Sequence, residues 1–295
     1  MIVLIDTFSA FFRAHYALPP MSTQAGEPTA ALYGFSSLLL KLLREQPGAA
    51  LAFALDAPAR TFRREQFDGY KAGRAPTPDA LSVQLRRLPA LLEALDVPVI
   101  VAPGFEADDV LATLARRSRE LGAGPTLIVS GDRDLLQLAR DEVRVHFIGR
   151  RGEKAVTYDE AGVVVRFGVP PQRLPSYVAL IGDVSDNLPG VPGIGPSTAR
   201  RLLTGFVSAK ELLSNLERIG SERTRELLAR HETQILQTEK LATLCDEVAL
   251  PVTGACWRIV SRAALGRLRS EFEALEFKSL IPRVERLIEG ASDPD

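Results

Sequence analysis

Tryptophan occurs once, methionine and cysteine twice each, and histidine three times in 295 residues. Each scarcity removes a class of function. His15, His146 and His231 are scattered and no His-Glu-x-x-His spacing occurs, so the chain carries no zinc-site pattern. Cys245 and Cys256 stand outside any metal-ligand spacing and read as two small buried apolar residues, with a disulfide or a ligand pair as the alternative. No uncharged apolar run approaches the roughly 18 residues of a membrane span. The start, Met-Ile-Val-Leu-Ile-Asp, has no basic segment and carries a charge at its sixth residue, unlike a secretion signal. A cytoplasmic protein without membrane association is the expectation. No fixed-period repeat or low-complexity stretch is present, and the final Gly-Ala-Ser-Asp-Pro-Asp reads as a frayed tail. The net charge of −1 also lacks the basic excess of a simple nucleic-acid binder.

What the chain does have is acid in clusters. Asp6 follows Ile-Val-Leu-Ile, Asp56 follows Leu-Ala-Phe-Ala-Leu, and Asp132-Arg-Asp134 follows Leu-Ile-Val-Ser-Gly; Glu106-Ala-Asp108-Asp109 and Asp183-Val-Ser-Asp186 complete the set. Three clusters end apolar runs that read as buried strands. Carboxylates at the C-terminal ends of parallel strands converge on one edge of the sheet, where open α/β folds place their sites. Nine carboxylates in one place require counter-charge. Divalent ions held through carboxylate and water oxygen, magnesium or manganese above all, meet that requirement and usually serve phosphoryl-transfer chemistry. Setting these nine aside leaves the rest of the chain at +8, so a basic surface surrounds an acidic hole. That distribution suits a polyanionic substrate.

With 46% apolar residues, the chain can build one large α/β domain with an appendage, or two domains. Residues 2–6, 50–55, 97–101, 125–130 and 143–147 read as strands. Helical periodicity falls at 30–45, 79–95, 106–121 and 134–139. This alternation predicts a mostly parallel sheet with helices on both faces. Helices dominate thereafter, at 158–167, 171–182, 197–204, 208–216, 221–244 and 262–275.

Between Arg60 and Arg87 seven basic residues stand against three acidic ones, interleaved with Phe62, Phe67 and Tyr70. Cations and rings in alternation suit a single-stranded polynucleotide; a solvated helix with one apolar face is the alternative. The 106–109 acids open a helix, where one or two carboxylates would serve the dipole and cap, but three exceed that need. Asp132 and Asp134 also admit a turn with an N-cap. Gly190-Val-Pro-Gly193-Ile-Gly195-Pro-Ser197-Thr-Ala199 reads as a turn leaving backbone N–H groups free at a helix N-terminus, able to hold a phosphate without reading sequence, or as an ordinary tight turn. Its likeness to a dinucleotide fingerprint fails because no strand precedes it.

Taken together, these residues resemble the bacterial and phage 5′-nuclease family: the 5′→3′ exonuclease domain of DNA polymerase I and its free-standing relatives, kin to the flap endonucleases. The resemblance runs from Val-Leu-Ile-Asp6 through Pro28-Thr-Ala-Ala-Leu-Tyr33-Gly-Phe35, Phe62-Arg-Arg-Glu, Tyr70-Lys71-Ala-Gly-Arg74 and Gly104-Phe-Glu-Ala-Asp-Asp to Ser130-Gly-Asp-Arg-Asp, Gly182-Asp-Val-Ser-Asp-Asn-Leu-Pro-Gly-Val-Pro-Gly-Ile-Gly and Leu275-Glu-Phe-Lys-Ser-Leu. It implies a PIN-like α/β nuclease core over 1–170, with a helical arch at about 60–90. A helical region over 171–295, containing a helix-hairpin-helix at about 186–204, would pack back on that core.

The resemblance makes Asp6, Asp56, Glu106, Asp108, Asp109, Asp132, Asp134, Asp183 and Asp186 ligands of two or more ions. Lys71 and Arg74 become arch cations on the scissile phosphate, Tyr70 a stacking aromatic and Arg13 a phosphate contact. Tyr33, Phe35, Gly193, Ile194, Gly195 and Ser197 become further DNA-contacting positions, with potassium associated with the hairpin. The implied activity is metal-dependent hydrolysis of DNA near 5′ ends at flaps, nicks and branched duplexes, with RNA/DNA hybrid as a further substrate and monomer as the default state. A non-catalytic flap-binding scaffold and a PIN-type ribonuclease are the rival readings. Departures from the family pattern are Thr7 and Ala31 in place of common glycines and Arg133 in place of a frequent lysine. Without a polymerase segment, the chain reads as free-standing or as trimmed from a longer polymerase.

Overall fold

In the computed structural model, which describes residues 1–149, 152–251 and 256–290, the apolar runs form strands whose side chains alternate between two cores. Strands β1 (Ile2–Asp6), β2 (Ala50–Ala54), β3 (Val99–Ile100), β4 (Thr126–Ser130) and β5 (Val143–Phe147) are parallel. Two short antiparallel strands, β6 (Val156–Tyr158) on β5 and β7 (Arg258–Ile259) on β2, were not foreseen from sequence. The order is β3-β2-β1-β4-β5-β6, so the chain reverses its direction of strand addition beside β1, between β2 and β4. Ile2 and Leu4 face one core while Val3 and Ile5 face the other. Both faces are therefore covered, as an all-apolar strand requires.

One face is covered by α1 (Thr7–Ala17), α2 (Ala30–Glu45) and α4 (Asp79–Ala94); the short α3 (Phe62–Gln66) lies between the last two in sequence, and α5 (Ala107–Glu120) packs on the opposite face. The helical portion comprises α6 (Glu160–Phe167), α7 (Leu174–Ile181), α8 (Pro196–Thr204), α9 (Ala209–Leu213), α10 (Glu222–Arg230) and α11 (Glu232–Ala242), and its apolar residues join the α5 core. The last described segment returns to the first face: α12 (Arg262–Ala274) and α13 (Ile281–Gly290) pack against α4 and α2.

Several local expectations change. The stretch 221–244 is two helices rather than one, because His231 leaves helical geometry at φ −104° and ψ 14°. Residues 134–138 form only a tight 3-10 turn, and α1 and α13 lie where no helix was read. Within residues 60–90 the helices are α3 and the first part of α4, with non-helical chain between them. Gly69, Gly73, Pro76, Pro78 and a left-handed Lys71 (φ 56°) keep residues 67–78 in turns and extended chain. α4 lies down on the sheet, burying Leu81, Leu88, Leu91 and Leu92. Cys256 is buried in the α5 core and Cys245 is half-buried against that core, in keeping with the apolar reading. No helix among the described residues is long and apolar enough to cross a membrane.

Candidate metal centre and nucleic-acid cleft

β1 ends in Asp6, and the side chain at once caps α1 by accepting the Ser9 N–H (3.1 Å). The Ser130 hydroxyl at the end of β4 donates to its other oxygen (2.6 Å). Burial pushes the Asp6 carboxyl up to about 7 against the relief of these two hydrogen bonds, with Asp132 and Asp56 adding repulsion. Two residues past β2, Asp56 accepts the Ala107 N–H (2.7 Å), which ties it to the start of α5. Asp132 and Asp134 follow β4, with Asp132 accepting the Asp134 N–H (3.0 Å). Burial raises Asp108 and Asp134 well above the usual carboxylate range, and Asp132 is the first like charge acting on each. Asp6, Asp56, Glu106, Asp108 and Asp132 line one cleft of about 370 Å³ together with Arg13, Lys71 and Arg74. Asp132, Asp134 and Asp183 line an adjoining cavity.

The segment before α4 supplies the cations. Lys71 donates from Nζ to Glu106 Oε1 (3.0 Å) and lies 3.6 Å from Asp186. Burial acts to lower its pKa, but Glu106 and Asp186 outweigh it and hold the ammonium charged. Arg74 donates to Asp186 Oδ1 (3.0 Å). Asp186 and Asp183 sit in a tight loop in which Asp183 accepts N–H groups from Ser185 (2.7 Å) and Asp186 (3.2 Å). Gly182 and Gly190 allow that loop to close: a Cβ on Gly190 would stand 2.3 Å from the Ile181 carbonyl carbon, and one on Gly182 2.7 Å from the Gly190 nitrogen. Asn187 then donates to the Gly69 carbonyl (2.8 Å), docking the loop on the 67–78 turns.

Four expected contacts take other roles. Asp109 is closed to solvent, and its two oxygens accept from Arg63 (2.6 and 2.7 Å), the Glu106 N–H (3.1 Å) and the Cys245 N–H (2.9 Å). These four hydrogen bonds occupy its lone pairs and make it a structural anchor at the start of α5. Tyr70 offers no face for stacking: it is 2% exposed, and its hydroxyl bonds Glu106 and Asp186 (3.0 Å each). Phe35 lies wholly in the core, edge-on to Phe11 at 5.9 Å. Ile194 is buried at 6% exposure, so its side chain anchors the hairpin while backbone and Ser197 face outward.

The remaining positions are accessible. Arg13 crosses over Gly131 and donates to its carbonyl (2.7 Å). Tyr33 is half-buried, edge-on to Phe277 at 5.3 Å, with its hydroxyl 2.9 Å from Ser279 Oγ. Gly193 is left-handed (φ 89°) and Gly195 caps α8 just before Pro196, where the first helical N–H groups point outward. Sequence reasoning assigned no role to Arg63, Ser9 or Ser130. Arg63 was visible only as one cation among seven, whereas Ser9 and Ser130 carried a local signal, three residues after Asp6 and two before Asp132.

Every cleft donor is a hard oxygen, the chemistry of magnesium or manganese. Among the described residues no three acidic, histidine or cysteine side chains stand, as placed, close enough together to hold a metal ion directly. Magnesium keeps several of its waters and binds through one or two carboxylates, so such an ion would meet the other acids through water.

Family models match nearly the whole chain: "5′-3′ exonuclease, N-terminal resolvase-like domain" over residues 1–168 and "5′-3′ exonuclease, C-terminal SAM fold" over 169–262. The 5′-3′ exonuclease of Aquifex aeolicus is 36% identical over 99% of this chain and 97% of its own length. The thermostable DNA polymerase I of Thermus thermophilus is 37% identical over 95% of this chain, which spans 32% of that polymerase. Among solved structures, the phage T5 D15 protein co-crystallised with metal ions superposes with a TM-score of 0.65 at 18% identity, covering 99% of each chain. The catalytic core of Rad2 in complex with a DNA substrate gives 0.62 at 17% identity, covering 99% of this chain and 92% of that one. The chain belongs to the 5′-3′ exonuclease family and is a nuclease of that type.

Proposed function

We propose that the chain cleaves DNA phosphodiesters near 5′ ends at flaps, nicks and branches, using divalent ions, magnesium or manganese, held in the acidic cleft. The observation that carries this reading is the convergence of Asp6, Asp56, Glu106, Asp108 and Asp132 with Lys71, Arg74 and Arg13 at the reversal point of a parallel sheet. The T5 protein was crystallised with metal ions and the Rad2 core with a DNA substrate, and this chain shares their fold.

Asp6, Asp56, Glu106, Asp108 and Asp132 would hold one ion, with Asp134, Asp183 and Asp186 toward a second. When bound, such ions supply an activated water at neutral pH and neutralise charge on the departing oxygen. Lys71 and Arg74 are held by Glu106 and Asp186 at the cleft mouth, within reach of a phosphate entering it. They balance the negative charge that develops on the phosphoryl group. Arg13, fixed over Gly131, orients the strand from the other side. The N–H groups at the start of α8 grip duplex phosphates without reading bases, so specificity comes from the shape of the DNA.

A 5′-labelled flap duplex in magnesium, with the wild type compared against Asp132→Asn and binding measured in calcium, tests this reading. Cleavage near the junction that the substitution abolishes while binding persists supports it. Binding without cleavage by the wild type, in magnesium and in manganese, would leave a structure-specific DNA-binding scaffold instead.

A further inference from the structure

Asp132, Asp134 and Asp183 form the acidic side of the adjoining cavity, of about 620 Å³, and no other acid among the described residues lines it. Arg13, Arg74 and Arg133 contribute its cations, and Phe167, Tyr177 and Ile181 its apolar lining. The volume lies within the range of roughly 300–1,000 Å³ common for small-molecule pockets. Metal ions and phosphates have no use for an apolar wall. A base plane does, because every base has a face that packs on rings and aliphatic groups. The one side-chain amide there is tied to backbone: Gln137 donates to the Asp134 and Ala242 carbonyls (2.9 and 3.1 Å) and accepts the Leu244 N–H (3.1 Å). It has no N–H left to offer a base edge. Arg133 is exposed and makes no ion pair among the described residues, so it is available to a phosphate.

Building on the nuclease reading above, we propose that this cavity receives one nucleotide unit without base preference, its base against the Phe167–Tyr177–Ile181 wall and its phosphate toward Arg13 and Arg133. The unit is either the terminal nucleotide of the substrate strand or a released 5′-mononucleotide.

Two variants reshape the wall without touching the carboxylates. Val178, half-buried in the lining, becomes larger in Val178→Phe, and Ile181→Ala strips apolar surface. Calorimetry of the full chain in calcium would compare dAMP, dTMP and 2-deoxyribose 5-phosphate, with thermal melting to confirm the fold. Both nucleotides should bind about tenfold more tightly than the sugar phosphate, within the worth of one stacked base. In the two variants that ratio should fall below about twofold while sugar-phosphate binding is kept. Equal affinity of the wild type for nucleotide and sugar phosphate, or a ratio unmoved in both folded variants, would overturn the proposal.

A flap duplex with an abasic 5′-terminal position separates the two sources. A lower kcat/KM than the intact flap in the wild type but not in Val178→Phe assigns the pocket to the strand terminus; equal sensitivity in both proteins assigns it to the released product. A wild type that prefers nucleotides but cleaves no flap would defeat the nuclease reading and leave the pocket standing.

Discussion

Arg63 and Asp109 meet through two parallel hydrogen bonds of 2.6 and 2.7 Å, with the guanidinium 2% exposed and the carboxylate closed to water. Arg63 also donates to the carbonyls of Leu241 (2.8 Å) and Thr243 (3.1 Å) and to Glu106 (3.2 Å). One side chain thus joins α3, the start of α5 and the end of α11, and it steadies the back of a cleft carboxylate. Arg63→Met leaves Asp109 charged and unmatched in the interior. It should cost roughly 3–5 kcal/mol. Urea unfolding measures this, and a variant as stable as the wild type would show that the pair carries no structural weight.

The acidic cleft sets a pH dependence that metal should reverse. Folding moves Asp6 from its ordinary 3.8 up to about 7, and Asp108 and Asp134 move the same way. Above pH 3.8 the native state holds protons the unfolded chain has released, so stability falls as pH rises, and the Asp6 share of the penalty is complete above about pH 7. In a chelator the melting temperature should be lower at pH 8 than at pH 5.5. Magnesium should raise it more at pH 8, where no proton competes for the oxygens. Melting curves in chelator and in magnesium at the two pH values decide the matter; a magnesium gain that is larger at pH 5.5 contradicts it.

Lys71 bonds the cleft carboxylate Glu106 and keeps 13% side-chain exposure. Lys71→Met should lower single-turnover cleavage by about 10²- to 10³-fold, the scale for loss of one donor that acts on developing charge. Flap affinity in calcium should change far less. A loss confined to affinity would make Lys71 a binding contact with no part in the chemistry.

Gly190→Ala tests the loop that carries Asp183 and Asp186. The added Cβ meets backbone on both sides, 2.3 Å from Ile181 and 2.5 Å from Gly182, so no rotamer relieves it. A cost of about 1–3 kcal/mol is expected, together with weaker magnesium binding as the loop shifts. Denaturant midpoints and metal titration would register both effects. Wild-type values for both would mean that the loop adapts without moving its acids.

The strands that deliver the acids were legible because each is a run of three to five apolar residues with a carboxylate soon after: Ile2 to Asp6, Leu51 to Asp56, and Leu127 to Val129 followed by Ser-Gly and Asp132. α1 escaped notice because it begins directly after β1 with no turn residue between, and its apolar residues blend with those of the strand; the Asp6–Ser9 cap was its one local mark. The break at His231 contains neither proline nor glycine and so left no trace. Asp108 and Asp109 look alike in a motif, yet neighbours on a helix point about 100° apart. Both could not face one cleft, and the partner that claims Asp109 lies 46 residues earlier in the chain. Tyr70 and Phe35 mislead for a related reason: an aromatic in a recognised motif does not reveal whether its ring faces solvent or its own core.

The outer edge of β2 is shared between two partners. Phe53 and Ala54 pair with β3, whereas Ala50 and Leu51 pair with β7, about two hundred residues further along. During synthesis β2 leaves the ribosome early, and half of its edge waits for almost the last described segment. The apolar face of α4 waits as well, for Leu265, Leu268 and Phe272 of α12. A nascent chain that has already gathered its acidic cleft therefore still carries an open strand edge and a bare helix face, the two features that invite intermolecular pairing. Its vulnerability to aggregation ends only when β7 and α12 have been made and have docked.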